Sequence, residues 1–231
     1  MRKNRYEKDV DNIVWTKLYQ NEEHRNSLAW SLIAFGLPEF YRAHVIKNLG
    51  ELELMVKANK ARLIDTKQFG EFIQPFVWEK LADDFRMIVF FENYMKATLL
   101  FKQCIIHQLV LPDGAEQKRF NKFQRDIPVN VKSLAISNAT EKNISKRTIG
   151  MDLLLSQSYQ KVIRLPEKVL KHVKEMNASR NRLHLRSTVK FDMGPSIVDE
   201  LKEVKAFADD WARQLRSAQF EAQMMNPAGW Y

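Results

Sequence analysis

The chain is poor in the residues that punctuate proteins made of short strands. Only seven glycines and seven prolines are spread over 231 residues, while Leu, Lys, Glu, Ala and Met recur throughout. Chains of many strands and tight turns need more glycine and proline than this, whereas the recurring residues are good helix formers. The composition predicts an all-α fold, a helical bundle.

Cysteine is nearly absent, and so are long apolar runs. The one cysteine, Cys104, can form no intrachain disulfide and cannot hold zinc in a cluster of thiolates. The first residues are polar and lack the apolar segment of a secretory signal. The longest apolar runs, such as residues 87–91, are too short to cross a bilayer. We expect a cytoplasmic protein with no membrane-spanning segment.

Positive charge is abundant but unevenly distributed. The formal net charge is +9, and residues 117–190 hold 17 Lys or Arg against 5 Asp or Glu. That stretch alone has an excess of 12 positive charges, so the rest of the chain is net negative. Such a basic stretch favours a polyanionic partner.

Hydrophobic periodicity predicts where the helices lie in the first half of the chain. We expect Gly36 to interrupt the first helical region and Pro38 to stand in the first turn of the next helix. An irregular piece is expected at residues 66–75, followed by a largely buried helix over residues 77–111. A small β-hairpin or a long loop is expected around residues 113–147.

The second half of the chain is predicted to be helical again from about Met151. Apolar residues then alternate four and three apart from Ile197 to Ala218, a seam typical of a helix that packs on another helix. The chain should end in an irregular tail from about residue 224. We treat residues 1–231 as a single domain. The seam consists of Ile197, Leu201, Val204, Ala208, Trp211, Leu215 and Ala218.

One short stretch concentrates the residues that RNA cleavage requires. Residues 177–186 contain one histidine, three arginines and two asparagines. Cleavage without a metal needs a base for the ribose 2′-hydroxyl, cationic donors for the charge on the phosphate, and a proton for the leaving oxygen. If the stretch is helical, Arg180 and His184 share one face.

The sequence Arg180-Asn181-Arg182-Leu183-His184 resembles the signature of the HEPN superfamily of metal-independent ribonucleases, which stands just before the last long helix. Residues 90–97 are similar to an earlier helix of that family that directs a polar residue towards the site. The resemblance implies a helical bundle that dimerises so that two motifs face one another. It also implies cleavage to 2′,3′-cyclic phosphate ends, no metal or other cofactor, a toxin or defence setting, and an antitoxin or regulatory protein partner. The implied catalytic residues are Arg180, Asn181 and His184, and Arg182, Arg186 and Lys190 would bind the RNA backbone at successive i,i+4 positions.

Simpler interpretations of these residues remain open. The arginines would be solvated helix residues, an asparagine would cap a helix end, and His184 would pack against its neighbours. The spacing between Arg180 and His184 is shorter than the commonest one in the family, which favours an alternative: a non-catalytic helical module of the same fold that binds RNA, a nucleotide or a protein. Glu92 and Lys96 are expected to form an ion pair one helical turn apart.

Three further histidines, His44, His107 and His172, have no histidine or cysteine at metal-ligand spacing. Core or surface roles are therefore expected for them, and no metal site is predicted.

Overall fold

The structure is a computed structural model that describes residues 18–109, 124–132, 144–182 and 195–225. It confirms the all-α prediction, with one small sheet beside the helices. Within the described ranges, no helix is both long enough and apolar enough to span a membrane. The helices are α1 (Glu22–Arg42), α2 (His44–Lys47), α3 (Leu49–Lys60), α4 (Thr66–Phe101), α5 (Met151–Leu154), α6 (Gln157–Ile163), α7 (Glu167–Arg182) and α8 (Pro195–Met225).

The sheet has two antiparallel strands, β1 (His107–Leu109) and β2 (Ile144–Thr148). His107 pairs with Thr148 and Leu109 with Ile144, with an irregularity in the register between the two pairs. Strand β1 lies inside residues 77–111, where the sequence predicted a helix, so that prediction is wrong beyond Phe101. Strand β2 begins inside residues 113–147, where a hairpin or a long loop was predicted. Within that stretch, Asn130 forms an isolated antiparallel bridge with Cys104.

The chain divides into two compact units. The first comprises residues up to Leu32 together with Glu92–Leu165, and the second comprises Ile33–Phe91 together with the chain from Pro166 onwards. Helices α1 and α4 each contribute residues to both units. The single domain expected for residues 1–231 stays a prediction.

The core of the first unit is built around the end of α4. Leu99 and Leu100 are fully buried there, as are Ile105 just after the helix and Tyr159 of α6. The hydroxyl of Tyr159 donates a hydrogen bond of 2.7 Å to the backbone oxygen of Gln124. This bond satisfies the phenol that the core buries and fixes the segment 124–132 against α6.

The core of the second unit is aromatic. Phe40 of α1 lies 5.3 Å from Phe90 and 6.3 Å from Phe91, measured between ring centroids, and Phe207 of α8 stacks on Phe91 at 6.0 Å. Helix α8 packs on α3 and α7. Its predicted seam is buried at Leu201, Val204 and Ala208 and half-buried at the other four residues. The prediction that the seam packs on another helix is thus confirmed within one chain.

Two predicted interruptions are wrong. Helix α1 continues through Gly36 and Pro38, and α4 begins at Thr66 and continues through Pro75. The proline of α1 is exposed, while Ile33, Leu37 and Phe40 around it are buried. A proline inside a helix costs about 3 kcal/mol, and burying several large apolar side chains at about 1.5–3 kcal/mol each outweighs that cost.

Candidate active site

The motif identified in the sequence lies at the C-terminal end of α7. Arg180 is in the last turn of the helix and is half-buried. Asn181 and Arg182 are its final two residues. Their side chains, and the whole of His184, Arg186 and Lys190, lie outside the described residues. The helix predicted for this stretch is confirmed as far as Arg182, and the shared face of Arg180 and His184 stays a prediction.

Helix α7 is amphipathic, which fixes the direction of its side chains. Val169, Val173 and Met176 are buried, each three or four residues from the next, and they face the core of the second unit. Asn177 continues this buried face, with only 6% of its surface exposed. The motif therefore begins, at Arg180, three residues after a well-anchored turn.

A buried carboxylate from α4 contacts the residue immediately before Arg180. The hydroxyl of Ser179 donates a hydrogen bond to Asp84, whose side chain is only 2% exposed. Lys80, one turn earlier in α4, places its Nζ 2.9 and 2.8 Å from the two carboxylate oxygens. Burial raises the pKa of Asp84, and the Lys80 ammonium and the Ser179 hydroxyl oppose that rise. Asp84 thereby fastens the last turn of α7 to α4.

The neighbouring Asp83 has a different task, although it is equally buried. Its Oδ1 accepts a hydrogen bond of 2.7 Å from the amide of His44, and its Oδ2 accepts one of 2.8 Å from the amide of Val45. These two amides begin α2, so Asp83 satisfies donors that a helix start leaves without partners. Arg86 lies 3.2 Å from Oδ1. Asp83 is thus a structural residue.

A second group of charged residues lies two turns before Arg180 in α7. His172 is buried, and its Nδ1 lies 3.5 Å from Oε2 of Glu200 in α8. Lys171 places its Nζ 3.0 Å from Oε1 of Glu200 and 3.9 Å from Oε1 of Glu175. Burial lowers the pKa of His172, against the opposing effect of the Glu200 carboxylate. These contacts hold α7 on α8.

The polar residues of the α4 stretch 90–97 serve the first unit instead. Lys96 places its Nζ 2.6 Å from Oε1 of Glu92 and 2.9 Å from the hydroxyl oxygen of Thr148 in β2. The predicted ion pair one turn apart is therefore confirmed. The family resemblance implies that a polar residue of this stretch points towards the motif. Among the described residues, the α4 side chain that contacts the last turn of α7 is instead Asp84, outside that stretch.

His107 is the histidine most thoroughly enclosed by polar contacts. Its ring is buried, and its Nδ1 is hydrogen-bonded to the hydroxyl of Tyr19. The amide of Ile106 donates to the same hydroxyl oxygen at 3.2 Å, and Nε2 of Gln124 donates to the backbone oxygen of His107 at 2.7 Å. Burial, with the nearby Lys96 ammonium, lowers the pKa of His107 to about 4. Of the core or surface roles expected for this histidine, the structure shows the core role.

Asp84 and Lys80 were missed by sequence reasoning, although a signal for them exists. The two adjacent acids Asp83 and Asp84 interrupt an α4 segment that is otherwise largely apolar, and Lys80 stands one turn before Asp84. Carboxylates on the buried face of a helix must find partners, so an acid in an apolar stripe predicts a polar contact with another element. The sequence does not reveal which element supplies that contact.

Comparisons with known proteins add no relative. A scan against models of protein families, a search of curated proteins and a search of solved structures each find no match to this chain. The functional interpretation therefore depends on the residues themselves.

Proposed function

We propose that the protein is a metal-independent endoribonuclease of the HEPN type that acts as a homodimer in the cytoplasm, in a toxin or defence setting. The observation that carries the proposal is the sequence Arg180-Asn181-Arg182-Leu183-His184, whose first three residues end a well-anchored helix of an all-α protein. The excess of 12 positive charges over residues 117–190 supports RNA as the partner.

In this mechanism the ribose 2′-oxygen attacks the adjacent phosphorus. The bond from phosphorus to the 5′-oxygen breaks, which leaves a 2′,3′-cyclic phosphate on one fragment and a 5′-hydroxyl on the other. His184 of one copy takes the proton of the 2′-hydroxyl, and a proton returns to the leaving 5′-oxygen from the histidine of the second copy. Arg180 binds the charged phosphate oxygens with paired donors, and Asn181 orients the phosphate or the histidine with its amide.

Asp84 acts in this scheme as a positioning residue. It holds the hydroxyl of Ser179, which immediately precedes Arg180, and it is itself held by Lys80. Arg180 accelerates the reaction only if its guanidinium keeps its position as negative charge develops on the phosphate. The buried carboxylate of Asp84, which is bonded to both Lys80 and Ser179, meets that requirement without contacting the RNA.

Exposed apolar side chains on α4 support the homodimer. Trp78 is 74% exposed, Phe85 43% and Val89 42%, and their spacings of seven and four residues place them on one face of the helix. Contiguous exposed apolar surface of this kind is typical of interfaces between proteins. Since α4 also supplies Asp84, which contacts the residue before Arg180, a second copy bound here would lie on the helix that holds the motif.

The decisive experiment is a cleavage assay in excess EDTA. Purified protein is incubated with total RNA, and the parent chain is compared on a gel with Arg180→Ala and His184→Ala. Matched controls replace residues of the same types outside the motif, Arg216→Ala in α8 and His24→Ala in α1, both of which are exposed. We expect cleavage by the parent and by both controls, and its loss in both motif variants.

Other outcomes have distinct meanings. Full activity in Arg180→Ala or His184→Ala refutes the assigned roles. Intact RNA with every protein, together with RNA binding that weakens with salt and on loss of Arg182, Arg186 or Lys190, would identify the non-catalytic binding module instead. Salt-insensitive binding would point to a protein partner.

A further inference from the structure

The buried imidazole of His172 lacks the hydrogen bonds that such groups normally make. Its side chain is only 6% exposed, and neither ring nitrogen makes a well-formed hydrogen bond within the part of the chain that the structure describes; Nδ1 has only its 3.5 Å ion-pair contact with Oε2 of Glu200. Buried side-chain polar atoms are satisfied in the large majority of cases, and an unsatisfied one costs about 1–3 kcal/mol. Two unsatisfied nitrogens on one ring therefore require an explanation.

The surroundings of His172 supply two carboxylates near enough to share a metal ion with it. One ligand atom each from His172, Glu175 and Glu200 lies within 4.8 Å of the others. The distance from Nδ1 of His172 to Oε2 of Glu200 is 3.5 Å. This distance is long for a hydrogen bond, but two ligands on a tetrahedral zinc ion with bonds of about 2.0–2.1 Å lie about 3.4 Å apart.

The third ligand comes from the same helix as the imidazole. Glu175 follows His172 by three residues in α7, so the two side chains occupy one face on successive turns. The side chain of Glu175 is 56% exposed and that of Glu200 is 20% exposed, so an ion can approach from water. The Glu175 carboxylate lies within 4.8 Å of the other two ligand atoms, and its exposed side chain has room to rotate towards them.

Lys171 occupies the position of a competing cation. Its Nζ contacts both carboxylates, at 3.0 Å for Glu200 and 3.9 Å for Glu175, and its side chain is 61% exposed. An exposed ammonium contributes little to such pairs and can move into water at small cost. The two carboxylates therefore share one ammonium that is free to leave. Together with the imidazole they form a donor set of one nitrogen and two oxygens, which suits Zn²⁺.

We propose that His172, Glu175 and Glu200 bind one Zn²⁺ ion between α7 and α8. The ion replaces the Lys171 ammonium, gives one imidazole nitrogen a partner and cross-links the two helices. It does not contact the RNA in the proposed mechanism, and the cleavage assay is run in EDTA, so failure of zinc binding and failure of cleavage are separate results. Histidine and cysteine spacings could not predict this site, because two of its three ligands are glutamates from different helices.

Isothermal titration of the full chain with ZnCl₂, together with the Zn²⁺-induced rise in melting temperature, tests the site. We expect one ion per chain, with binding weakened on the order of tenfold or more in His172→Leu and in Glu200→Gln. Glu200→Gln keeps the test valid even if the buried His172 variant folds poorly. Glu203→Gln is the matched control, because Glu203 makes an equivalent ion pair with Lys168 one turn away and supplies no ligand.

The competing lysine provides a gain-of-binding test. Lys171→Met should bind Zn²⁺ more tightly than the parent, whereas the control Lys168→Met should not. Absence of binding to the parent, or equal binding by the parent, His172→Leu and Glu200→Gln, overturns the proposal. Binding by Lys171→Met alone would also overturn it, because Lys171 would then be the resident cation of this cluster.

Discussion

Acidification should destabilise the protein through His107. The pKa of this histidine falls from 6.5 to about 4 in the folded chain, and in the unfolded chain it returns to its ordinary value. Between those two values the unfolded state binds more protons than the folded state, so stability is lost as the pH falls from about 6.5 towards 4. One pKa unit corresponds to about 1.4 kcal/mol, and the full shift therefore to about 3 kcal/mol.

This loss is large for a protein whose total stability is expected to be roughly 5–15 kcal/mol. Its origin is the enclosure of the ring: His107 is only 4% exposed, its Nδ1 is bonded to Tyr19, and the Lys96 ammonium is nearby. A charged imidazole at this position would be desolvated and repelled by Lys96. Below a pH of about 4 the folded protein also takes up the proton, and His107 causes no further loss.

Urea unfolding at neutral pH and near pH 4 measures the effect, with His107→Asn as the comparison. The amide oxygen of asparagine can replace Nδ1 as an acceptor for Tyr19, but it does not titrate in this range. Other groups, including His172, titrate in both proteins, so the difference between the two pH dependences isolates His107. We expect the parent to lose about 3 kcal/mol more than the variant between these pH values. Parallel pH dependences in the two proteins would refute the reasoning, and the exposed His24→Asn variant should behave like the parent.

Three other predictions follow from the second unit. Asp84→Asn should lower the free energy of unfolding by about 1–3 kcal/mol in urea titrations, because Lys80 loses its buried partner but can still reach water; a neutral effect would contradict the anchoring role. Asp83→Ala should cost about 1–2 kcal/mol through the uncapped amides of α2, a loss that unchanged unfolding curves would disprove. Trp78→Glu should convert the dimer to a monomer in light-scattering measurements of mass, and the equally exposed Leu63→Glu should not; a parent chain that is already monomeric would exclude the dimer.

The sequence predicted the helical class well, because its signal is distributed over the whole chain. Scarce glycine and proline and the apolar spacing of α8 are properties of many residues together, and they do not depend on any one contact. The breaks assigned to Gly36, Pro38 and Pro75 were wrong because each depended on one residue. Local conformational preference at one position is outweighed when burial of its neighbours stabilises the continuous helix.

The candidate site was predictable only in part, for a related reason. The motif residues are consecutive, so their types are visible in the sequence, and helix α7 follows from its apolar spacing. The contact between Ser179 and Asp84 joins residues 95 positions apart in the chain, and that between His172 and Glu200 joins residues from different helices. Such contacts depend on how α4, α7 and α8 pack, which no spacing within one helix encodes.

These contacts bear directly on how Arg180 could act. A helix of 16 residues is marginal on its own in water, so the position of α7 depends on what its sides contact. Asp84 fixes it at the residue before Arg180, and the group around His172 fixes it on α8 about 12 Å earlier along the helix axis. A change at either contact should shift or loosen the arginine without touching it. Asp84→Asn should therefore reduce RNA cleavage more than it reduces RNA binding, a split that a purely structural role for Asp84 would not produce.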